Sequence, residues 1–102
     1  MESVVYKILG QVAEYYEVSM EDLLEQSRKA KLVRPRQVAM YLLKEHYRLS
    51  LPAIAEKMRR DHTTVLHGVR QIRAAAEGVD LKRQLRELKA RLDHKGLLHI
   101  RI

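Results

Sequence analysis

Residues 61–71 read Asp-His-Thr-Thr-Val-Leu-His-Gly-Val-Arg-Gln, and the two unlike sides of this stretch constrain the fold more than any other feature. At about 100° per residue, Val65, Val69, Ile72 and Ala76 fall on one stripe of a helix, with Thr63, Thr64, His67, Arg70 and Gln71 opposite. The apolar stripe needs a core to cover it. The other side carries hydroxyls, imidazole, guanidinium and amide, which can donate to or accept from base edges and phosphates. Short residues at the start let that end approach a surface closely, so the expectation is a helix that enters a DNA major groove.

The rest of the chain can supply the core. Its 102 residues suit one domain, and 46% of them are hydrophobic. Neither Phe nor Trp is present, so the core rests on Val, Leu, Ile, Met, Ala and some of the five Tyr, a composition that suits packed helices. Twenty Lys and Arg against thirteen Asp and Glu give a net charge of +7, which favours a polyanionic partner, nucleic acid or an anionic membrane surface. No apolar run approaches the roughly 20 residues of a membrane helix. The start, Met1-Glu2-Ser3, is acidic rather than a basic signal-peptide start, so a cytoplasmic protein is expected. With no cysteine there is neither a disulfide nor a thiolate metal site.

Helical spacing of Val4, Val5, Ile8, Leu9, Val12, Ala13 and Tyr16 predicts a first helix from about Ser3 to Tyr16. Ser19, with acids at 21 and 22, predicts an N-cap and a short helix that buries Leu23 and Leu24 and ends near Ser27. Residues 28–36 hold five basic side chains and no acid, and Pro35 marks a boundary, so a basic loop is expected. A central core helix follows, its period running through Val38, Leu42 and Leu49. Ser50 then caps a short helix with Pro52 in its first turn and Ile54, Ala55 and Met58 buried. Asp61 can cap the next helix, residues 61–77, and Gly78 is a reasonable stop. A short helix, a tight turn at Met58-Arg59-Arg60 and a longer helix with a polar outer face make a helix-turn-helix.

Beyond Gly78, Asp80 is expected to cap a last helix whose Leu81, Leu85, Leu88 and Leu92 form a seam of under two heptads. Packing on its own domain is the favoured use of that seam, and a homodimer through the C-terminal segment is the alternative. The end of the chain sets Leu98, Ile100 and Ile102 against His99 and Arg101, a period of two that suits a short strand. Such a lone strand frays, lies on the core or pairs with another copy. The expected architecture is all-α: a compact helix-turn-helix domain over residues 1–78, with a C-terminal helix, a tail and a possible short terminal strand in 79–102.

Arg28, the run Val33-Arg34-Pro35-Arg36-Gln37-Val38-Ala39-Met40-Tyr41-Leu42, the run Ser50-Leu51-Pro52-Ala53-Ile54 and the run Arg60-Asp61-His62-Thr63-Thr64-Val65-Leu66-His67 together resemble the C-terminal DNA-binding domain of the bacterial replication initiator DnaA. The likeness covers roughly residues 4 to 76. It implies an all-helical fold built on a helix-turn-helix and binding to short, asymmetric duplex boxes. It further implies Arg28 in the minor groove, Asp61, His62 and Thr63 at bases in the major groove, and Leu51 and Pro52 near thymine methyls or the backbone. Arg36, Gln37, Lys44, Arg60, Thr64 and His67 match positions at or near phosphates.

Physical chemistry is compatible with this assignment. A guanidinium exploits the negative potential of a narrow minor groove. Thr63 offers a methyl and a hydroxyl, and His62 can donate to a purine. Asp61 can accept from a cytosine amino group or cap the helix, and the sequence leaves both jobs open.

Three departures from the family pattern stand out. The family commonly has Phe-Gly-Gly before the Arg-Asp-His, where this chain has Met58-Arg59 and is one residue shorter, so Arg59 must take a conformation usual for Gly. No Gly-x-x-x-x-Gly-Lys-Ser/Thr segment is present, so no nucleotide partner or cofactor is expected. The tail after about Glu77 has no evident family counterpart; with the Met1 start it favours a stand-alone protein over an excised domain.

Duplex DNA is therefore the expected partner, with no membrane and no metal. An enzyme acting on nucleic acid is disfavoured: His46, His62, His67, His94 and His99 form no ligand motif, and His62 and His67, five apart, are poorly aligned for shared helical ligation.

Overall fold

The computed structural model describes residues 2–100. Six α-helices follow one another: α1 (Glu2–Tyr15), α2 (Met20–Leu24), α3 (Val33–Tyr41), α4 (Leu51–Met58), α5 (His62–Ala75) and α6 (Val79–His94). Ile8, Leu9 and Val12 of α1, Leu23 of α2, Val38 of α3, Ile54 and Met58 of α4, Val65, Val69 and Ile72 of α5 and Leu88 and Leu92 of α6 all enter one core. The stripe expected of residues 61–71 is therefore covered, and the all-helical fold stands.

Local chemistry sets the boundaries. Ser19 caps α2 through a capping box: its hydroxyl accepts from Asp22 N–H at 2.9 Å, and Asp22 accepts in return from Ser19 N–H at 3.1 Å. Ser50 caps α4, its hydroxyl accepting from Ala53 N–H at 3.2 Å, with Pro52 in the first turn. The basic segment is more ordered than a loop. Residues Ala30–Leu32 form a 3₁₀ turn that runs directly into α3, because Leu32 is fully buried and anchors the entry. The expected core helix also ends differently, since Leu42–His46 form a π turn and Leu49 lies past the helix. Tyr47 N–H reaches Leu42 C=O at 3.1 Å and Leu49 N–H reaches Leu43 C=O at 3.0 Å.

Gly68 sets how closely α5 lies on α3. A Cβ there would stand 2.6 Å from Met40 Sδ and 3.3 Å from Gln37 Cγ, so the missing side chain is what lets the two helices meet.

The C-terminal segment shares this core. Leu81, Leu85, Leu88 and Leu92 are all buried, against α1 among others, so the seam packs on its own domain, the favoured of the two expected uses. Tyr16 hydroxyl donates to Gln84 Oε1 at 2.8 Å, Tyr15 hydroxyl donates to Glu87, and the Arg91 guanidinium lies 5.1 Å from the centre of the Tyr15 ring. Gly78, expected as a stop for α5, is the N-cap of α6, and Asp80 lies in the first turn without capping.

Among the described residues there is no strand. Leu98 and His99 form a turn, Leu97 is buried, and Leu98 and Ile100 lie on the core. Tyr47 hydroxyl donates to Leu97 C=O at 2.8 Å and His46 Nε2 meets Leu98 C=O at 2.9 Å, so side chains rather than a ladder satisfy this backbone. Burial pushes the Tyr47 hydroxyl up to about 12, which keeps it a donor. Arg101 and Ile102 of the expected strand lie outside the described residues. Among the described residues no helix is long and apolar enough to cross a membrane.

Candidate nucleic-acid interface

The helix-turn-helix comprises α4, the turn at Arg59-Arg60 and α5. Arg59 lies in the left-handed region, with φ 59° and ψ 42°, the conformation its place in a Gly-type turn demands. Arg60 N–H bonds Ala55 C=O at 2.9 Å and Arg59 N–H bonds Glu56 C=O at 3.4 Å, which closes α4. Gln26 holds the turn from outside, its Nε2 donating to Arg59 C=O at 2.8 Å.

At the start of α5, Asp61 Oδ1 accepts Thr64 N–H at 2.8 Å. Asp61 is thus a helix cap, one of the two jobs open to it. That backbone N–H, foremost, holds the Asp61 carboxyl below its usual 3.8. His62, Thr63, Thr64, His67, Arg70 and Gln71 are all exposed along the outer face. Leu51 is half-buried and Pro52 exposed at the start of α4.

Between α5 and the basic segment runs a groove of about 310 Å³ lined by residues that include Arg28, Gln37, Arg60, Thr64 and His67, with Met40 and Arg36 also on its wall. Six of the twelve expected contact residues therefore converge on one concavity. Lys44 stands apart, on the π turn beside Glu45 and Arg48, in a separate groove of about 290 Å³.

Two of the expected phosphate contacts have different work in this structure. Arg36 is only 7% exposed, and its guanidinium points inward, donating to the carbonyls of Ser27, Asp22 at 2.6 Å and Glu25 at 2.8 Å. Arg60 does the same from the turn, donating to Met58 C=O at 2.8 Å and Glu25 C=O at 2.6 Å, with a longer contact to Leu24 C=O at 3.3 Å. Both cations thus converge on the C-terminal end of α2, where unpaired carbonyls and the helix dipole favour positive charge. Burial pulls both guanidinium pKa values below the usual arginine range, and for Arg60 the charge of Arg36 adds to this. Arginine nonetheless stays protonated at neutral pH. The consequence is mechanical: the segment carrying Arg28 is bolted to α3 through Arg36 and to the helix-turn-helix through Arg60.

Sequence reasoning missed this clamp, although one signal was present. Position 36 falls on the helical stripe of Leu32, Ala39 and Leu43, all buried, so its side chain starts inward. Gly68 and Gln26 were also unassigned; neither has a signature beyond its residue type.

A polar-faced helix on a fixed core, preceded by a capped short helix across a tight turn, defines a helix-turn-helix domain. The family model described as bacterial dnaA protein helix-turn-helix matches residues 5–72. The chain belongs to that family. It is 49% identical to the chromosomal replication initiator protein DnaA of Xanthobacter autotrophicus over 86 residues, covering 76% of this chain and 17% of that protein. It is 40% identical to the protein of the same name from Caldanaerobacter subterraneus over 92 residues, covering 89% of this chain and 21% of that protein. A crystal structure of a DNA replication initiation factor superposes with a TM-score of 0.82 at 32% identity, covering 92% of this chain and 29% of that one. The chain therefore spans about a fifth of the curated relatives it matches. A match over 92% of the chain must include much of α6, so the segment after Glu77 does have a counterpart in that structure.

Proposed function

We propose that this chain binds duplex DNA selectively at initiator-type boxes, in replication initiation or its regulation. In this proposal the first turn of α5 enters the major groove, where Asp61, His62 and Thr63 meet base edges. Arg28 enters the neighbouring minor groove, and Leu51 and Pro52 lie near thymine methyls. Gln37, Lys44, Thr64 and His67 hold phosphates, which fixes register without carrying sequence information. Arg36 and Arg60 act from behind as positioning residues.

The observation that carries this proposal is the groove between α5 and the Arg28 segment. A major groove and its neighbouring minor groove are separated by one sugar-phosphate strand. A protein that reads both must leave a channel between its two reading elements and line it with donors and cations, which is how Arg28, Gln37, Thr64 and His67 are arranged.

The test is fluorescence anisotropy with an initiator-type duplex and a composition-matched scrambled duplex across a salt series. Neutralisation of about 2 phosphates, by Lys44 and Arg28, predicts a log–log slope of about −2 for both, with a gap between them that persists at every salt concentration. Equal affinities for the two duplexes would leave only a generic basic binder.

A further inference from the structure

Among the described residues, three other than glycine have positive φ: Glu17 at 58°, Arg48 at 63° and Arg59 at 59°. Each ends a helix or helical turn in the left-handed conformation, where any side chain is disfavoured and Gly or Asn is usual. The next residue's N–H reaches back in each case: Val18 to Ala13 at 2.9 Å, Leu49 to Leu43 at 3.0 Å and Arg60 to Ala55 at 2.9 Å. Charge separates the three. Glu17 ends α1, which packs chiefly on α2, α3 and α6. Arg48 and Arg59 instead bracket α4, one just before its Ser50 cap and one just after Met58.

Both arginines are exposed, and among the described residues neither guanidinium makes a hydrogen bond or an ion pair. Arg48 shares its groove with Lys44 and Glu45. The carboxylate there is already engaged, because Glu45 Oε2 accepts from Arg73 at 2.6 Å. Lys44 and Arg48 thus form a cationic pair that lacks an acidic partner, beside the start of α4. A long cation tolerated at two strained positions on either side of one short helix calls for a use outside the fold.

We infer that Arg48 and Arg59 are additional DNA-backbone contacts, one at each end of α4, extending the phosphate track beyond the residues named above. The inference rests on the proposed duplex binding. Phosphates are the fitting occupant, because the patch is cationic, solvent-facing and continuous with the helix that presents Leu51 and Pro52.

The test uses Arg48→Asn and Arg59→Gly, both suited to the left-handed conformation, with Glu17→Gly as a control at the third such position. Thermal unfolding and duplex anisotropy across salt are measured for each. For both arginine variants, folding stability is expected to hold or rise while affinity falls, about eightfold each at about 0.1 M salt, and the log–log slope becomes shallower by about 0.9 per residue. Glu17→Gly is expected to leave the slope unchanged. Unchanged slopes and affinities in the arginine variants, with a wild-type chain that does bind, would overturn this inference and leave the proposed function standing. An equal slope change in Glu17→Gly would overturn it as well, since the effect would then belong to helix ends rather than to charge. A wild-type chain with no salt-dependent duplex binding overturns both.

Discussion

Replacing Arg36 with methionine keeps the volume of a buried side chain and removes its guanidinium. The loss is three hydrogen bonds, to the carbonyls of Ser27, Asp22 and Glu25. Bonds from a charged donor contribute about 1.5–3 kcal/mol each at most. Two effects reduce the total. The end of α2 lies at the surface, where water can replace part of what is lost. Removing the cation also relieves its repulsion of Arg60, whose pKa is lowered by burial and by Arg36. A net destabilisation of about 2–4 kcal/mol follows, within the roughly 5–15 kcal/mol of an ordinary domain, so the variant folds and can be assayed. Urea unfolding followed by far-UV circular dichroism should show a lower midpoint with an unchanged slope. Binding is then read in a double-mutant cycle with Arg28→Ala. If Arg36 acts by holding the Arg28 segment, the double variant binds no worse than the weaker single variant, and adding Arg36→Met to Arg28→Ala leaves the salt slope where it was. Additive losses, with a further change in slope, would refute the clamp and return Arg36 to direct phosphate contact.

Leu88, fully buried in α6, should cost about 2–5 kcal/mol when changed to Ala, with the sedimentation mass of the chain unaltered. A changed mass with stability retained would mean that the leucine seam joins copies. Asp61 has a folded pKa below its ordinary 3.8, chiefly through the Thr64 N–H, so its contribution to stability is fully present above that value and is lost as pH falls through the lower folded one. Asp61→Asn retains a capping side chain without the titration; the stability gap between wild type and this variant should shrink between about pH 6 and about pH 2, and a constant gap would contradict the linkage.

The two faces of α5 were legible because a 3.6-residue period names a face directly, and Val65, Val69 and Ile72 are indeed buried while the polar residues opposite are not. The starts of α2 and α4 were legible through Ser19, Ser50 and Pro52, whose side chains act locally. Illegible features depended on distant groups. The period of Leu81, Leu85, Leu88 and Leu92 identifies a buried face but not whether α1 or a second copy covers it. The π turn at Leu42–His46 alters backbone bonding without changing residue type, so the helix was carried on to Leu49. Alternation in the tail suggested a strand, whereas Tyr47 and His46 satisfy its carbonyls from the side. Arg36 looked like a free cation in a basic run; only the fold brings the end of α2 to its guanidinium. Arg59 was the reverse case, because the shortened turn by itself demanded the positive φ it has.

That the first turn of α5 reads base identity while the surrounding cations hold the backbone is tested most directly by comparing Thr63→Ala with Lys44→Ala on an initiator-type and a scrambled duplex. Thr63→Ala should cost about 1–2 kcal/mol on the preferred box and little on the scrambled one, narrowing the gap. Lys44→Ala should weaken both alike and make the salt slope shallower by about 0.9. If Thr63→Ala instead lowered both affinities equally, the exposed end of α5 would not be the element that reads the sequence.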